Sequence, residues 1–173
     1  MATFKPLGAG SWRNSDGLIV YFGPTEGTAG NGGEYRTTGA NRQLEAVLDL
    51  AQLTSTAAYL DQHFELPKNA YVESVEVEVV VVAASSGSGT VSVGLKQSDQ
   101  STNISDTALV SALDLHATAV GTKFTLTAGS TGAGSSIGTA IAANGLLTVK
   151  YGTAAYQTGR VLIRVNYNFL PLA

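Results

Sequence analysis

The chain has 173 residues and no cysteine, with ten Lys and Arg against thirteen Asp and Glu and a formal net charge of −3. A chain of this length buries a core without staples. The missing thiols exclude a disulfide framework or a thiolate metal site, and so small a charge gathers neither nucleic acid nor an anionic membrane. Charged residues make up only 13%, about half the usual share of roughly 25%, and a surface rich in Gly, Ser, Thr and Ala suits permanent packing against neighbours.

The N-terminal MATFKPLGAGSW lacks the basic start and apolar run of a secretion signal. The longest apolar stretch, Val79 to Ala84, falls far short of the ~20 residues that span a bilayer. The expectation is a protein made in a cytoplasm, with no membrane partner. Residues 1–42 read as an extended Gly-rich arm carrying one short strand, Gly17 to Phe22. Trp12, Tyr21, Phe22 and Tyr35 cluster in this arm. Large aromatics in a segment that builds no core of its own either anchor it to another surface or fold back onto the same chain.

Residues 43–173 read as a β-sandwich domain. Gln43 to Leu50 alternates, with Leu44, Ala46, Leu48 and Leu50 on the inner face. Ala58 to Leu66 follows, with Leu60, Phe64 and Leu66 inward and Asp61, His63 and Glu65 outward, and Pro67 ends it. The next segment, VESVEVEVVVVAAS, opens on alternation and then runs four valines together. Its inward set is expected to be Val75, Val77, Val79 and Val81. The SSGSG turn reverses it into Thr90 to Lys96, with Val91, Val93 and Leu95 inward.

Asp106 to Leu115 predicts an Asp cap and a short helical turn, since Leu109, Val110 and Leu113 share a helical face. Lys123 to Thr127 is strand-like. Asn144-Gly145, between SIGTAIAA and LLTVKYG, predicts a hairpin with a type I′ turn. Arg160 to Phe169 closes the chain with Val161, Ile163, Val165, Tyr167 and Phe169 on one face. About eight or nine strands with polar turns and almost no helix predict an all-β fold: an antiparallel β-sandwich of jelly-roll type with a Gly-rich N-terminal arm.

Catalytic signatures are missing. Gly132-Ala133-Gly134 has neither the spacing nor the strand-to-helix context of a dinucleotide loop, no phosphate-binding GK[ST] follows a Gly-rich loop, and no G-x-S-x-G elbow is present. With two histidines, His63 and His116, the best metal candidate is Asp61, His63 and Glu65 on one strand face, which is also how any solvated face reads. His116 receives no role. Glu73, Glu76 and Glu78 read as charges that keep a valine-rich strand from aggregating, or as a face for a cation, with Arg164 a candidate partner on another strand. The chain reads as no enzyme, with no catalytic, metal or cofactor residues.

Leu66 to Val82 (LPKNAYVESVEVEVVVV), Thr90 to Leu115, and the closing Gly159 to Phe169 (GRVLIRVNYNF) follow a characteristic order. A turn at LP leads into a long valine strand, then a short strand with an acidic polar loop, then a last strand opening on GR. Looser matches are DGL and GEYR upstream. In this the chain resembles small structural proteins of tailed bacteriophages, in particular capsid decoration (cement) proteins. The resemblance implies a virion protein on the capsid surface, made in the host cytoplasm and free of cofactors, that bridges subunits of the major capsid protein. It also implies a homo-oligomer, with a trimer favoured. The alternative is a head or tail fibre module binding a host-surface glycan or protein. The expected capsid contacts are Phe4, Trp12, Arg13, Tyr21, Tyr35 and Arg36, and the expected subunit contacts are Val80 and Val82.

Overall fold

The computed structural model describes residues 5–6, 11–13, 19–21, 33–38, 41–59, 64–97, 99 and 102–169. Thirteen strands and one 3-10 turn are described. The strands are β1 Lys5–Pro6, β2 Ser11–Arg13, β3 Ile19–Tyr21, β4 Gly33–Thr38, β5 Asn41–Asp49, β6 Ala58–Tyr59, β7 Glu65–Leu66, β8 Ala70–Ser85, β9 Thr90–Gln97, β10 Asn103–Asp114, β11 Lys123–Leu126, β12 Gly145–Gly152 and β13 Tyr156–Phe169. They form two antiparallel sheets. The first runs β1-β2-β3-β4-β5-β13-β8-β11, and the second runs β10-β9-β12-β6, with β7 also paired to β12.

The core lies between the facing sides of the two sheets. Leu44, Ala46 and Leu48 of β5, Val75, Val77 and Val79 of β8, and Val161, Ile163, Val165 and Tyr167 of β13 are buried. They meet Val91, Val93 and Leu95 of β9 and Leu147 and Val149 of β12 in one cluster. Strict period-2 alternation puts these side chains on one face. Each fully buried Val, Leu or Ile contributes about 1.5–3 kcal/mol. Phe64 and Leu66 are buried as expected. The strand expected over Ala58 to Leu66 is present as its two ends, β6 and β7, and Leu60, Asp61 and His63 lie outside the described residues.

Three expectations are corrected. Asp106 to Leu115 is not a helical turn: its residues through Asp114 belong to β10, paired with β9. From Ser105 to Val110 the strand advances five residues while its partner advances two, Leu95 to Val93. The surplus forms a bulge that buries Ala108, Leu109 and Val110 in succession, which imitates helical spacing. Nor does Asn144-Gly145 turn a hairpin, because residues 136–144 are not a strand. That segment lies along the start of β8, with Gly138 N–H donating to the Val72 carbonyl (2.8 Å) and Ile141 N–H to the Ala70 carbonyl (2.9 Å). Buried Ile137 and Ile141 hold it there, and Asn144 Oδ1 accepts from Lys68 N–H at 2.7 Å.

The third correction concerns Val81, expected inward and found 45% exposed. On β13 the ladder passes Val161, Arg160 and Thr158, while on β8 it passes Val79, Val81 and Ala84. Five steps on β8 face three on β13, so β8 carries two extra residues. The four-valine run is therefore a double bulge. Val79 points in, Val80, Val81 and Val82 are exposed, and Ala83 returns to the core. Gly159 makes room for it: φ is +134°, and a Cβ there would stand 2.8 Å from Ala83 Cα. Only glycine enters that region without strain.

Candidate contact surface

Among the described residues, the largest ion-pair network lies on the outward face of the first sheet. Register brings Arg164 of β13 opposite Glu45 of β5 and Glu76 of β8. Its Nε donates to Glu45 Oε2 at 2.8 Å and its NH1 to Glu78 Oε2 at 2.9 Å, with Glu76 at 3.8 Å. Lys123 of β11 adds a second cation 3.4 Å from Glu78. The Arg164 hydrogen bond holds the Glu78 carboxyl below its ordinary range, and Glu78 in turn holds the guanidinium more firmly protonated. The proposed pairing of Arg164 with these glutamates is thus observed. One row along, Gln43 Nε2 donates to Asn166 Oδ1 (2.9 Å), and Asn166 Nδ2 donates to Ser74 Oγ (3.1 Å). These outward polar side chains engage one another across β5, β13 and β8.

Next to this network lies the bulged end of β8. Exposed Val80, Val81 and Val82 are joined by exposed Val120 on the preceding turn to β11. The backbone around them is tied down on both sides. Val79 N–H donates to the Thr122 carbonyl (2.9 Å), Gly121 N–H donates to the Val79 carbonyl (2.8 Å), and Ala117 N–H donates to the Ala83 carbonyl (2.9 Å). These bonds make the valine exposure a built feature rather than a frayed end. In the same ladder row lie two charged residues, Arg160 opposite Val81 on β13 and Asp49 opposite Arg160 on β5.

His116, given no role in the sequence, clamps the same end. It bridges Ala83 in parallel register, and its Nδ1 lies 2.9 Å from Ser85 Oγ. That hydroxyl accepts from Gly89 N–H at 3.2 Å and bonds the Gly87 carbonyl. A serine beside a histidine invites a nucleophilic reading. Asp114, however, accepts from the backbone N–H of His116 (2.9 Å), not from the ring, so the third member of a triad is not in place. The group closes the β8–β9 turn. Tyr156 supports it from β13: its hydroxyl donates to the Gly89 carbonyl, and burial chiefly pushes its phenol up to about 12.

Trp12 and Arg13 lie in β2, Tyr21 in β3, and Tyr35 and Arg36 in β4, which brings them together as successive strands beyond β5. Tyr35 stands opposite Leu44 and Arg36 opposite Gln43 in the β4–β5 ladder. Phe4 lies outside the described residues, as do Phe22, Asp61 and His63. Glu65 stands opposite Leu146 in β7. Gly132 and Gly134, far from any cofactor geometry, line the free edge of β10. There Gly134 N–H donates to the Leu109 carbonyl (3.1 Å), and a Cβ on Gly134 would come within 2.2 Å of the Ala108 carbonyl oxygen. Among the described residues, no three His, Asp or Glu gather as a metal site.

Fold and surface together define an all-β antiparallel sandwich whose polar groups bond mainly to its own strands. No protein-family model matches the sequence, and no curated protein matches it. Two solved chains are similar in structure. One is from the acidic stable capsid structure of Helicobacter pylori bacteriophage KHP30, with 20% identity, a TM-score of 0.48, and 79% of this chain and 92% of that chain covered. The other is from the capsid of Ralstonia phage GP4, with 16% identity, a TM-score of 0.49, and 79% and 88% covered.

Proposed function

We propose that this chain is a structural protein of a tailed-phage virion, an outer capsid decoration or cement protein of jelly-roll type that bridges neighbouring subunits of the major capsid protein. The observation that carries the reading is the contrast on the outward face of the first sheet. Its charged groups are tied to each other through Arg164, while a rigidly held valine run beside them stays exposed. Such a surface binds by area and anchors rather than by reactivity. The strand order supports the jelly-roll assignment. From β5 to β13 the chain crosses between sheets at each connection except the β9–β10 hairpin, with β6 and β7 counted as one position.

In this reading residues 1–42 form the capsid-facing arm, with Phe4, Trp12, Arg13, Tyr21, Tyr35 and Arg36 as contacts, and residues 43–173 form the body. Val80 and Val82 face a neighbouring copy in a homo-oligomer, a trimer in our reading, seated on a lattice axis of the capsid surface. Many modest contacts then act together by avidity. The test is to mix purified protein with expanded empty capsids and, separately, with host cells. Capsid binding without cell binding supports cementing. Cell binding without capsid binding replaces it with an adhesion module on a head or tail fibre.

A further inference from the structure

We infer that the overhanging half of the first sheet carries a cationic strip, Lys5, Arg13 and Arg42, that docks on an acidic surface of the capsid protein. This rests on the reading of residues 1–42 as the capsid-facing arm and adds the chemistry of what the arm meets. The second sheet has four strand positions, counting β6 and β7 as one, and the first sheet has eight strands. β5, β13, β8 and β11 of the first sheet supply described core residues and answer to those four positions. β1 to β4 therefore extend past the sandwich, by about 19 Å at ~4.8 Å per strand. Register carries the core phase out onto them. Lys5 stands opposite Arg13, Arg13 opposite Ile19, Ile19 opposite Tyr35, and Tyr35 opposite buried Leu44. Directly opposed residues share a face, so a row that begins in the core ends on two cations set against each other.

Two independent features require an anion here. Like charges directly opposite each other in a ladder are destabilising, and among the described residues of β1 to β5 no carboxylate shares this face. Glu34 and Glu45 stand opposite each other in the alternate row, and Asp49 has the phase of Glu45. The second feature is Arg42, on the same face as Leu44 two residues along β5. Its guanidinium lies over the Phe169 ring, 4.3 Å from the centroid, and its Nε is buried with no hydrogen-bond partner. A guanidinium offers a planar fork of donors that matches a carboxylate. The ring holds the fork in place, and the chain itself supplies no acceptor for Nε. Protein carboxylates fit better than the phosphates of DNA. The other face of the same strands carries Glu34 and Glu45, and the chain as a whole is at −3, a balance that does not gather a polyanion. Tyr35 in the row, with arginine beside it, is the composition of a protein interface.

Co-sedimentation of the full chain with expanded empty capsids provides the test. Wild-type affinity is expected to fall at least tenfold between about 50 and 500 mM salt. The Lys5→Gln/Arg13→Gln double variant is expected to bind at least tenfold more weakly at low salt, with a flatter salt dependence and an unchanged thermal midpoint. Arg42→Lys, which keeps the charge and loses the fork, is expected to weaken binding severalfold. Lys68→Gln, at an exposed turn position, is expected to stay within twofold of wild type. Capsid binding that is indifferent to salt, or that the double variant keeps in full, overturns the acidic partner while leaving capsid cementing standing. Equal weakening by Lys68→Gln also overturns it, since any lost cation would then serve. Wild-type binding to sheared duplex DNA that the double variant loses, with capsid binding unchanged, overturns it and assigns the strip to phosphate. A folded wild-type protein that binds no capsid removes the cement reading itself.

Discussion

From Val75 to Val79, β8 alternates without a break. Val75, Val77 and Val79 enter the core, while Glu76 and Glu78 reach outward to Arg164. From Val80 to Val82 the same side chain at three successive positions stays exposed. Intrinsic preference is equal in the two halves, because the residue is the same. What differs is the partner strand: β13 matches the first half residue for residue and the second half with two residues fewer. Burial of a valine here is a property of register rather than of sequence composition, and each half is open to separate disruption.

The largest expected effect comes from the residue that permits the mismatch. Gly159→Val combines a side chain at φ +134° with a Cβ 2.8 Å from Ala83 Cα, and it is expected to cost about 3 kcal/mol or more. Urea denaturation at neutral pH measures this. A stability close to wild type would mean that the bulge does not depend on Gly159. Second is Val77→Thr, which places a hydroxyl in the core at a position 2% exposed and is expected to cost about 1–3 kcal/mol.

The ion network of the regular half comes next. Arg164→Met leaves Glu45, Glu76 and Glu78 crowded without their shared cation and is expected to lower Tm by roughly 2–6 °C. The pH dependence has a definite sign. Glu78 is depressed below its ordinary value of 4.5 when folded, so its contribution is present above that value and lost as pH falls through the depressed one. Wild-type stability should therefore fall on acidification below about pH 4.5, and the Arg164→Met profile should be flatter there. Equal acid slopes in the two proteins would show that the network does not set the acid response.

Smaller again is Tyr156→Phe, which leaves the Gly89 carbonyl without its phenol donor and is expected to cost about 1 kcal/mol. Here the shift runs upward. The phenol ionises near 10.0 unfolded and about 12 folded, so the folded state keeps its proton longer, and the associated stability is lost as pH rises from 10 toward 12. The phenylalanine variant should lose less stability across that alkaline range, read by circular dichroism.

The inward faces of β5, β8, β9 and β13 are legible from period-2 alternation: Leu44, Val77 and Val93 each sit between polar or small residues, and Ile163 continues the Val161, Ile163, Val165 phase despite the apolar Leu162 beside it. The Arg164 network is legible only in part. The outward phase of Arg164 and of Glu76 can be read along each strand, but their adjacency depends on strand order, which no local pattern encodes. Bulges defeat the same method. Alternation assumes one residue facing one, so the surplus in β10 imitates a helical face and the surplus in β8 misplaces Val81. The glycine at 159 and the unbroken valines are the two signals that together point to a bulge, each ambiguous alone. Asn144-Gly145 has hairpin chemistry, yet the segment before it buries Ile137 and Ile141 beside β8 instead of pairing as a strand with β12.

The smallest expected effect isolates the lesson of the two halves. Val81→Thr makes the same chemical change as Val77→Thr, four residues further along one strand and across the bulge. At 45% exposure the new hydroxyl keeps its water, so nothing is desolvated, and the loss is expected to stay within about 0.5 kcal/mol. A small effect here beside a cost of 1 kcal/mol or more at Val77 shows that the exposed run contributes little to folding, although it lies on the same strand as the core valines. If Val81→Thr proved as costly as Val77→Thr, the side chain would have to be buried in solution, and the double bulge could not be the resting conformation of the strand.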